Sequence, residues 1–337
     1  MVAFNFPNSP APGTSYQGYS WDGEKWVSGA NGAIYVSDPP PPNAPANSLW
    51  WNSTNGTLYV RYNDGNSTQW VSIAGGGGAA AISGQCRLDW IDTVHIKLSP
   101  FNGDKIQIAG AVYQIPSAGI LAANASVFVD GVANQNLGPN TVYNVYLFNN
   151  AGVLTIDYST AARGLDVTPG NVGVQIKAGN NSRTLIGKLE TNASNQFTAT
   201  TVISWFNRRY KLVTANDPND RSVSAIWTEI STLIRARFLS WGTDEPYFNV
   251  SYSANLKHAT VGAAMYIAAG IDGTGTILGG NSQSEHVANN LNALANSVPF
   301  AAAEGVHFAT MVGGAVAGST VFAGTNVASI ITVGYWG

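Results

Sequence analysis

Val142-Tyr-Asn-Val-Tyr-Leu-Phe148, Asn149-Asn-Ala-Gly152, Val153-Leu-Thr-Ile-Asp-Tyr158: two runs that alternate apolar and polar residues flank a short Asn/Gly turn. A side-chain period of two is that of a half-buried strand, and Asn and Gly supply the positive φ of a tight turn, so the stretch predicts a β-hairpin. The same text extends on both sides. Upstream lie Val94-His-Ile-Lys-Leu98 and Lys105 to Ile115, punctuated by Asn102-Gly103 and Asp130-Gly131; downstream come Arg183 to Leu189 and Thr201 to Phe206. Strands at short, regular spacing predict an all-β module over residues 86–215. After the polar turn Asn216-Asp-Pro-Asn-Asp220 the pattern restarts, predicting a second β-sandwich-like domain over 216–337 with strands including Tyr247 to Tyr252, His307 to Val312 and Ala328 to Tyr335. Ile226, Ile230, Leu233 and Ile234, and again Val287, Leu291 and Leu294, also fit helical spacing, so one or two short helices are expected there.

Before residue 86 the chain says one thing twice. Tyr19-Ser-Trp21-Asp22-Gly23-Glu-Lys-Trp26-Val27 and Tyr62-Asn-Asp64-Gly65-Asn-Ser-Thr-Gln-Trp70-Val71 each place an aromatic, an Asp-Gly turn and Trp-Val in order. Each copy predicts a hairpin. Prolines 7, 10 and 12 precede the first and prolines 39 to 42 and 45 the second, forming stiff spacers that cannot enter a central strand. The expected organisation is a first hairpin module (1–37), a second (38–74), a Gly/Ala-rich linker (75–85), a middle β domain and a C-terminal sandwich. In the doubled Trp50-Trp51, successive strand side chains point to opposite faces, so one ring is expected in a core and the other open to a partner.

Composition narrows the function classes. Only 10% of the 337 residues are charged, against about 25% in an ordinary globular protein, while 45% are hydrophobic. This favours a folded, turn-rich chain over disorder. A net charge of −3 provides no basic field for phosphates, so nucleic acid is not an expected partner. Cys86, the one cysteine, excludes a disulfide framework and a cysteine zinc cluster. The opening Met-Val-Ala-Phe-Asn-Phe-Pro7 lacks the charge and apolar run of a signal peptide, and no run of about 18 apolar residues occurs, so membrane insertion is not expected.

Chemistry-bearing motifs are sparse. His95, His258, His286 and His307 have no metal-ligand spacing, no Gly-x-Ser-x-Gly elbow occurs, and the glycines from Gly270 to Gly280 lack the Lys-Ser/Thr of a phosphate loop and read as loop. Neither a cofactor nor a metal is expected. Asn216 to Asp220 has oxygens enough for calcium but not the spacing, and reads as a turn. A polysaccharide-cleaving site would need two carboxylates about 5 to 10 Å apart, with Asp157, Asp166, Glu190, Glu229, Asp244, Glu245, Glu285 and Glu304 as candidates. Isolated acids are usually solvated, and a non-enzyme is expected. Arg208-Arg209 beside Trp205-Phe206 has two readings, a linker pinned by guanidinium on aromatic rings or a carboxylate-binding contact. Trp21, Trp26, Trp50, Trp51, Tyr62 and Trp70 could stack on sugars, form the core of their small modules, or dock on a partner. The hydrophobic strand Ile330-Ile-Thr-Val-Gly-Tyr-Trp336 must be covered, by the sandwich or on an oligomer axis.

The hairpin pair with Trp50-Trp51-Asn-Ser-Thr-Asn-Gly-Thr-Leu-Tyr-Val60, followed in order by Leu98-Ser-Pro-Phe-Asn-Gly103, Ile115-Pro-Ser-Ala-Gly119, Val142-Tyr-Asn-Val-Tyr146, Arg183-Thr-Leu-Ile-Gly187 and Trp205-Phe-Asn-Arg-Arg209, resembles structural proteins of tailed bacteriophages and prophages. These are tail fibres, tail spikes and head fibres, and the resemblance covers most of residues 1–209. It implies a virion protein on the tail or capsid surface, made in the bacterial cytoplasm, with an N-terminal segment attached to another virion protein and a trimeric, jelly-roll-like tip that recognises host surface polysaccharide. On that footing the hairpin aromatics are the expected attachment residues, and Ile331, Val333, Tyr335 and Trp336 the expected trimer interface. A head fibre or capsid-decorating protein, and a depolymerising spike, are the alternatives the resemblance leaves open.

Overall fold

A computed structural model describes the chain except for residues 1–6, 9, 13, 17, 18, 22, 29–33, 55, 74–83, 225, 226, 245, 246, 286, 317 and 326. Asp22 of the first turn, most of the 75–85 linker, Ile226, Glu245 and His286 therefore lie outside the described residues. The chain forms two compact units, Met1–Ala80 and Ala81–Gly337. Both are β throughout: the helices expected near 226–234 and 287–294 are not formed, and the described residues contain a single 3-10 turn, Gly242–Asp244. Ile230 and Ile234 instead flank a tight turn closed by Ile234 N–H donating to Ser231, and both enter the sandwich core. Leu294 lies on the strand Asn292–Phe300, whose partner strand is already committed to period two.

The first unit holds two sheets. Ser15–Tyr16, Tyr19–Trp21 and Trp26–Ser28 form a three-stranded one, with Trp21 directly opposite Trp26. The second has the order Ile34–Ser37, Leu49–Asn52, Thr57–Asn63, Thr68–Ser72. Its last two strands are the expected hairpin, turning on Asp64, whose carboxylate accepts from Asn66 N–H and Ser67 N–H, and on Gly65 at φ 91°. Ile34–Ser37 runs parallel to Leu49–Asn52, so the proline spacer at 39–45 is a crossover inside this sheet, and the strand preceding it belongs to the second module, across the expected 37/38 boundary.

In the second unit the hairpin Val142–Asn150/Val153–Ser159 is central to an eight-stranded sheet with Asn180–Thr191 beside it. This sheet closes on the three-stranded sheet of Cys86–Trp90, His95–Pro100 and Ile120–Ala123 over a core of Leu88, Ile96, Leu98, Val145, Leu147, Tyr158, Ile186, Leu189 and Phe197. Gly187 is required where the sheets meet: a Cβ there would lie 2.3 Å from the Leu88 side chain.

The C-terminal sandwich packs a six-stranded sheet against a five-stranded one. The strand Phe248–His258 buries Phe248, Val250, Tyr252, Ala254 and Leu256 on alternate positions against Ala236, Phe238, Met265, Ile267, Ala309 and Met311 of the facing sheet. Between it and Tyr210–Asp217 lies the terminal strand Ser329–Trp336. Tyr210–Asp217 thus crosses the 215/216 boundary expected from the sequence and belongs to the sandwich. Tyr146, Leu185 and Ile203 of the middle sheets join the sandwich core, making residues 81–337 one packed body. The Gly270–Gly280 stretch, expected as loop, is a hairpin joining Ala264–Ile271 to Thr276–Ser284.

Candidate functional site

The four-stranded sheet of the first unit has two unlike faces. On one, Trp50 is buried, stacked on Tyr59 at 4.7 Å and tilted against Trp70 at 5.5 Å, and its indole N–H donates to the Ser37 carbonyl at 3.0 Å. The Arg61 guanidinium lies over Trp70 at 5.4 Å. This aromatic cluster is the core of the module. On the other face, strand pairing sets Val36 beside Trp51, Trp51 beside Leu58, Val60 beside Val71 and Tyr62 beside Gln69. Val36, Trp51, Tyr62, Val71 and Ile73 are exposed there, with no charged side chain among them. The doubled tryptophan divides as expected, Trp50 inward and Trp51 43% exposed. Of the expected attachment residues, the structure brings Trp51 and Tyr62 onto the open face and Trp50 and Trp70 into the core; Trp21 and Trp26 pair with each other at 5.7 Å in the smaller sheet. Val36, Leu58, Val60, Val71 and Ile73 complete the open face. Their signal was in the sequence, since Leu58, Val60 and Tyr62 alternate with the core residues of the same strand.

The outer face of the C-terminal six-stranded sheet is almost free of charge. Tyr210, Leu212 and Thr214, then Trp336, Gly334 and Thr332, then Asn249, Ser251 and Ser253, then Pro299, Ser297 and Ala295 stand side by side across four strands, with Lys257 and Asp220 the charged outward residues toward one end. Thr214 and Thr332 share a hydrogen bond at 3.0 Å and Ser251 and Ser297 one at 2.9 Å, so these hydroxyls are satisfied within the face. A shallow depression of about 460 Å³ lies over Ser251, Ser253, Ala295, Ser297, Ile330 and Thr332. The expected interface residues on the terminal strand point the other way: Ile331, Val333 and Tyr335 are fully buried in the sandwich of a single chain, because alternation sends odd positions inward. Trp336 is exposed and meets Tyr210 edge to face at 5.7 Å.

Most of the candidate acids are held by cations. Asp157 binds Arg183 at 2.8 Å, Glu229 binds Arg235 at 2.7 Å, and Asp166 caps its own loop through Thr168 N–H and Asn171. Glu285 is buried and accepts from Asn292 at 3.2 Å. Asp244 and Glu304 are brought together by Arg163, which donates to them at 2.6 and 3.0 Å; Lys188 reaches Glu304 at 2.5 Å. Burial pushes the Glu304 carboxyl up, and Arg163 and Lys188 more than reverse this, so it stays ionised below the ordinary range. The Arg163 and Arg208 guanidiniums stack on Trp205 at 5.0 and 4.6 Å, and Arg209 pairs with Asp89 at 2.9 Å. The arginine pair therefore pins the junction between middle sheets and sandwich, with its carboxylate and aromatic partners supplied by the chain itself.

His95 and His307 pair with Asp92 and Asp272 at 2.9 and 2.7 Å, and His258 is buried. Among the described residues no three His, Cys, Asp or Glu side chains gather as metal ligands. Cys86 is fully buried and burial lifts its thiol to about 12, the behaviour of a small core hydrophobe. In the Asn216–Asp220 turn, burial raises the Asp217 carboxyl, but Arg221, Ser231 and Asn219 outweigh it and leave the group far below the ordinary carboxylate range. No described helix is long and apolar enough to cross a membrane.

No protein-family model and no curated protein matches the sequence. Among solved structures, the chain is similar to dimeric latent PorU from Porphyromonas gingivalis (9% identity, TM-score 0.26, covering 78% of this chain and 22% of that one). It is also similar to the infectious bursal disease virus Gx strain structure (12%, TM-score 0.22, covering 75% and 77%). A third is a glycoside hydrolase family 43 arabinoxylan arabinofuranohydrolase from Bacillus subtilis (13%, TM-score 0.18, covering 86% and 65%). The chain spans about a fifth of the PorU protein.

Proposed function

We propose that the chain is a non-enzymatic structural protein of a tailed-phage particle, a homotrimeric fibre that attaches through residues 1–80 and recognises host surface glycan with its C-terminal part. The observation that carries this reading is the open apolar face of the first unit. A contiguous, uncharged exposed patch on a small module is the usual mark of a protein contact, and it lies on the module that the resemblance to fibre proteins makes the attachment end. The outer sheet face of the sandwich supports self-association: copies related by symmetry bring identical faces together, where like charges would repel, and this face presents mainly neutral side chains, small ones over its middle and Tyr210, Leu212 and Trp336 along one side.

The test is particle incorporation. Trp51→Ser with Tyr62→Ser should leave the second unit folded and remove the protein from assembled particles. Normal incorporation would end the attachment reading. Labelling of particles with antibody to residues 220–337 decides between tail and capsid surface; label at capsid vertices would favour the head-fibre alternative.

A further inference from the structure

A cleft of about 350 Å³ opens where the middle sheets meet the C-terminal sandwich, lined by Asn140, Glu190, Asn192, Thr198, Thr200 and Arg237. Its floor is built around one ion pair. Glu190 ends the strand Asn180–Thr191 with its carboxylate 6% exposed, and Arg237, from the sandwich strand Arg235–Trp241, clamps it with two parallel hydrogen bonds, Nε to Oε2 at 2.8 Å and Nη2 to Oε1. The clamp fixes both groups, yet Arg237 is 52% exposed and its Nη1 amine has no hydrogen-bond partner among the described residues. Around it stand polar groups that the fold leaves unused, the Asn140 side-chain amide and the Thr200 hydroxyl, while Thr198 and Thr201 hydrogen-bond each other at 2.6 Å and hold the wall in place.

A guanidinium donor fixed beside a carboxylate acceptor matches adjacent hydroxyls on a sugar ring: one hydroxyl accepts from Arg237 while its neighbour donates to Glu190. The pair carries no net charge, and the Glu190 carboxylate beside the free guanidinium donor repels the carboxylate of an acidic sugar, so a neutral sugar is favoured. Its volume is at the low end of the range for small-molecule sites, about 300 to 1,000 Å³. We infer that this cleft is a saccharide subsite taking a short neutral segment with a vicinal diol. The site has no aromatic platform, so single-copy affinity is weak and useful binding needs several copies. The inference rests on the glycan-recognition part of the proposed function and assigns it a place.

The test uses the full chain on an array of neutral and uronate-bearing oligosaccharides, followed by saturation-transfer NMR with the best neutral probe. Thr200→Val with Asn140→Gly, glycine tolerating the positive φ of 46° at position 140, removes two side-chain groups without touching the ion pair, and should weaken binding about tenfold with little change in melting temperature, the worth of a hydrogen bond or two. Arg237→Lys keeps a cation near Glu190 but loses the bidentate geometry, and should weaken binding at least as much. Neutral-sugar binding that persists in both variants would overturn the cleft assignment and leave glycan recognition standing elsewhere. Preference for uronate-bearing probes would overturn the neutral class. An array on which the wild-type chain binds nothing would overturn both the cleft and the glycan reading.

Discussion

The four-stranded sheet of the first unit and the six-stranded sheet of the sandwich are both antiparallel over most of their width, but they treat their second face in opposite ways. The small sheet packs aromatic rings, Trp50, Tyr59 and Trp70, on one face and leaves large side chains, Trp51, Tyr62, Val71 and Val36, open on the other. The sandwich sheet buries its large side chains against a partner sheet and shows mostly Ser, Thr, Asn, Ala and Gly outward. The first pattern concentrates apolar area in a few anchors; the second makes a flat surface that carries little charge and specifies little by itself. An anchor face suits a fixed partner, and a smooth face suits copies of itself.

The sharpest way to break this comparison is to exchange the two tryptophans' fates. Trp50→Ala should cost about 3–5 kcal/mol, as for other large buried aromatics, enough to melt a sheet with so little core; proteolysis or near-UV circular dichroism confined to residues 1–80 would report it. Trp51→Ala should leave the same signal intact. In the sandwich, Phe238→Ala, which removes a ring packed on Phe248 at 4.9 Å, should lower stability by about 3–5 kcal/mol in denaturant titration but leave the larger unit folded. If Trp51→Ala melts the module, its open face is a core.

Acid and base should act on the sandwich in opposite senses. The Asp217 carboxyl is held below the ordinary range when folded, so its stabilisation is full above about pH 5 and falls away as pH drops through the folded pKa; Asp217→Asn should flatten that acid limb. Burial lowers the Lys211 ammonium from 10.5 to about 8, and its hydrogen bonds go to the carbonyls of Ala199 and Val202. Here the folded state sheds the proton first, so stability should rise as pH climbs from about 8 to 10.5, an increment that Lys211→Met removes when unfolding is followed at each pH. The smallest effect on the single chain belongs to the smooth face. Thr332→Lys should change chain stability by less than about 0.5 kcal/mol and shift sedimentation from trimer to monomer; a trimer that survives it would clear this face of any role in self-association.

Much of this was legible in the sequence. Alternation in Phe248 to Leu256, the Asp64-Gly65 turn and the opposed rings of Trp50 and Trp51 all follow from local geometry, and all are formed. What was not legible is non-local. Ile34–Ser37 finds a parallel partner across the prolines, which no local pattern announces. Leu294 has helical spacing from Val287 and Leu291, yet its pairing with Ala254 in Phe248–His258 overrides it. Glu190 and Arg237 are 47 residues apart, and nothing near either one marks a pair. The terminal strand's need for cover, by the sandwich or on an oligomer axis, was legible; that the sandwich takes Ile331, Val333 and Tyr335 and leaves Trp336 exposed depends on a facing sheet far away in sequence.

The place of the Ser329–Trp336 strand also sets a timetable. It is the bridge between Tyr210–Asp217 and Phe248–His258, so two strands separated by some thirty residues cannot join one sheet until one about seventy residues further on has slotted between them. Until that happens both would-be neighbours present unpaired N–H and C=O groups to whatever passes. Assembly is then paced by a long-range closure, with the slow rates that follow from high contact order. During synthesis the waiting chain carries two open edges, and a chaperone or a sister copy is the natural occupant of either.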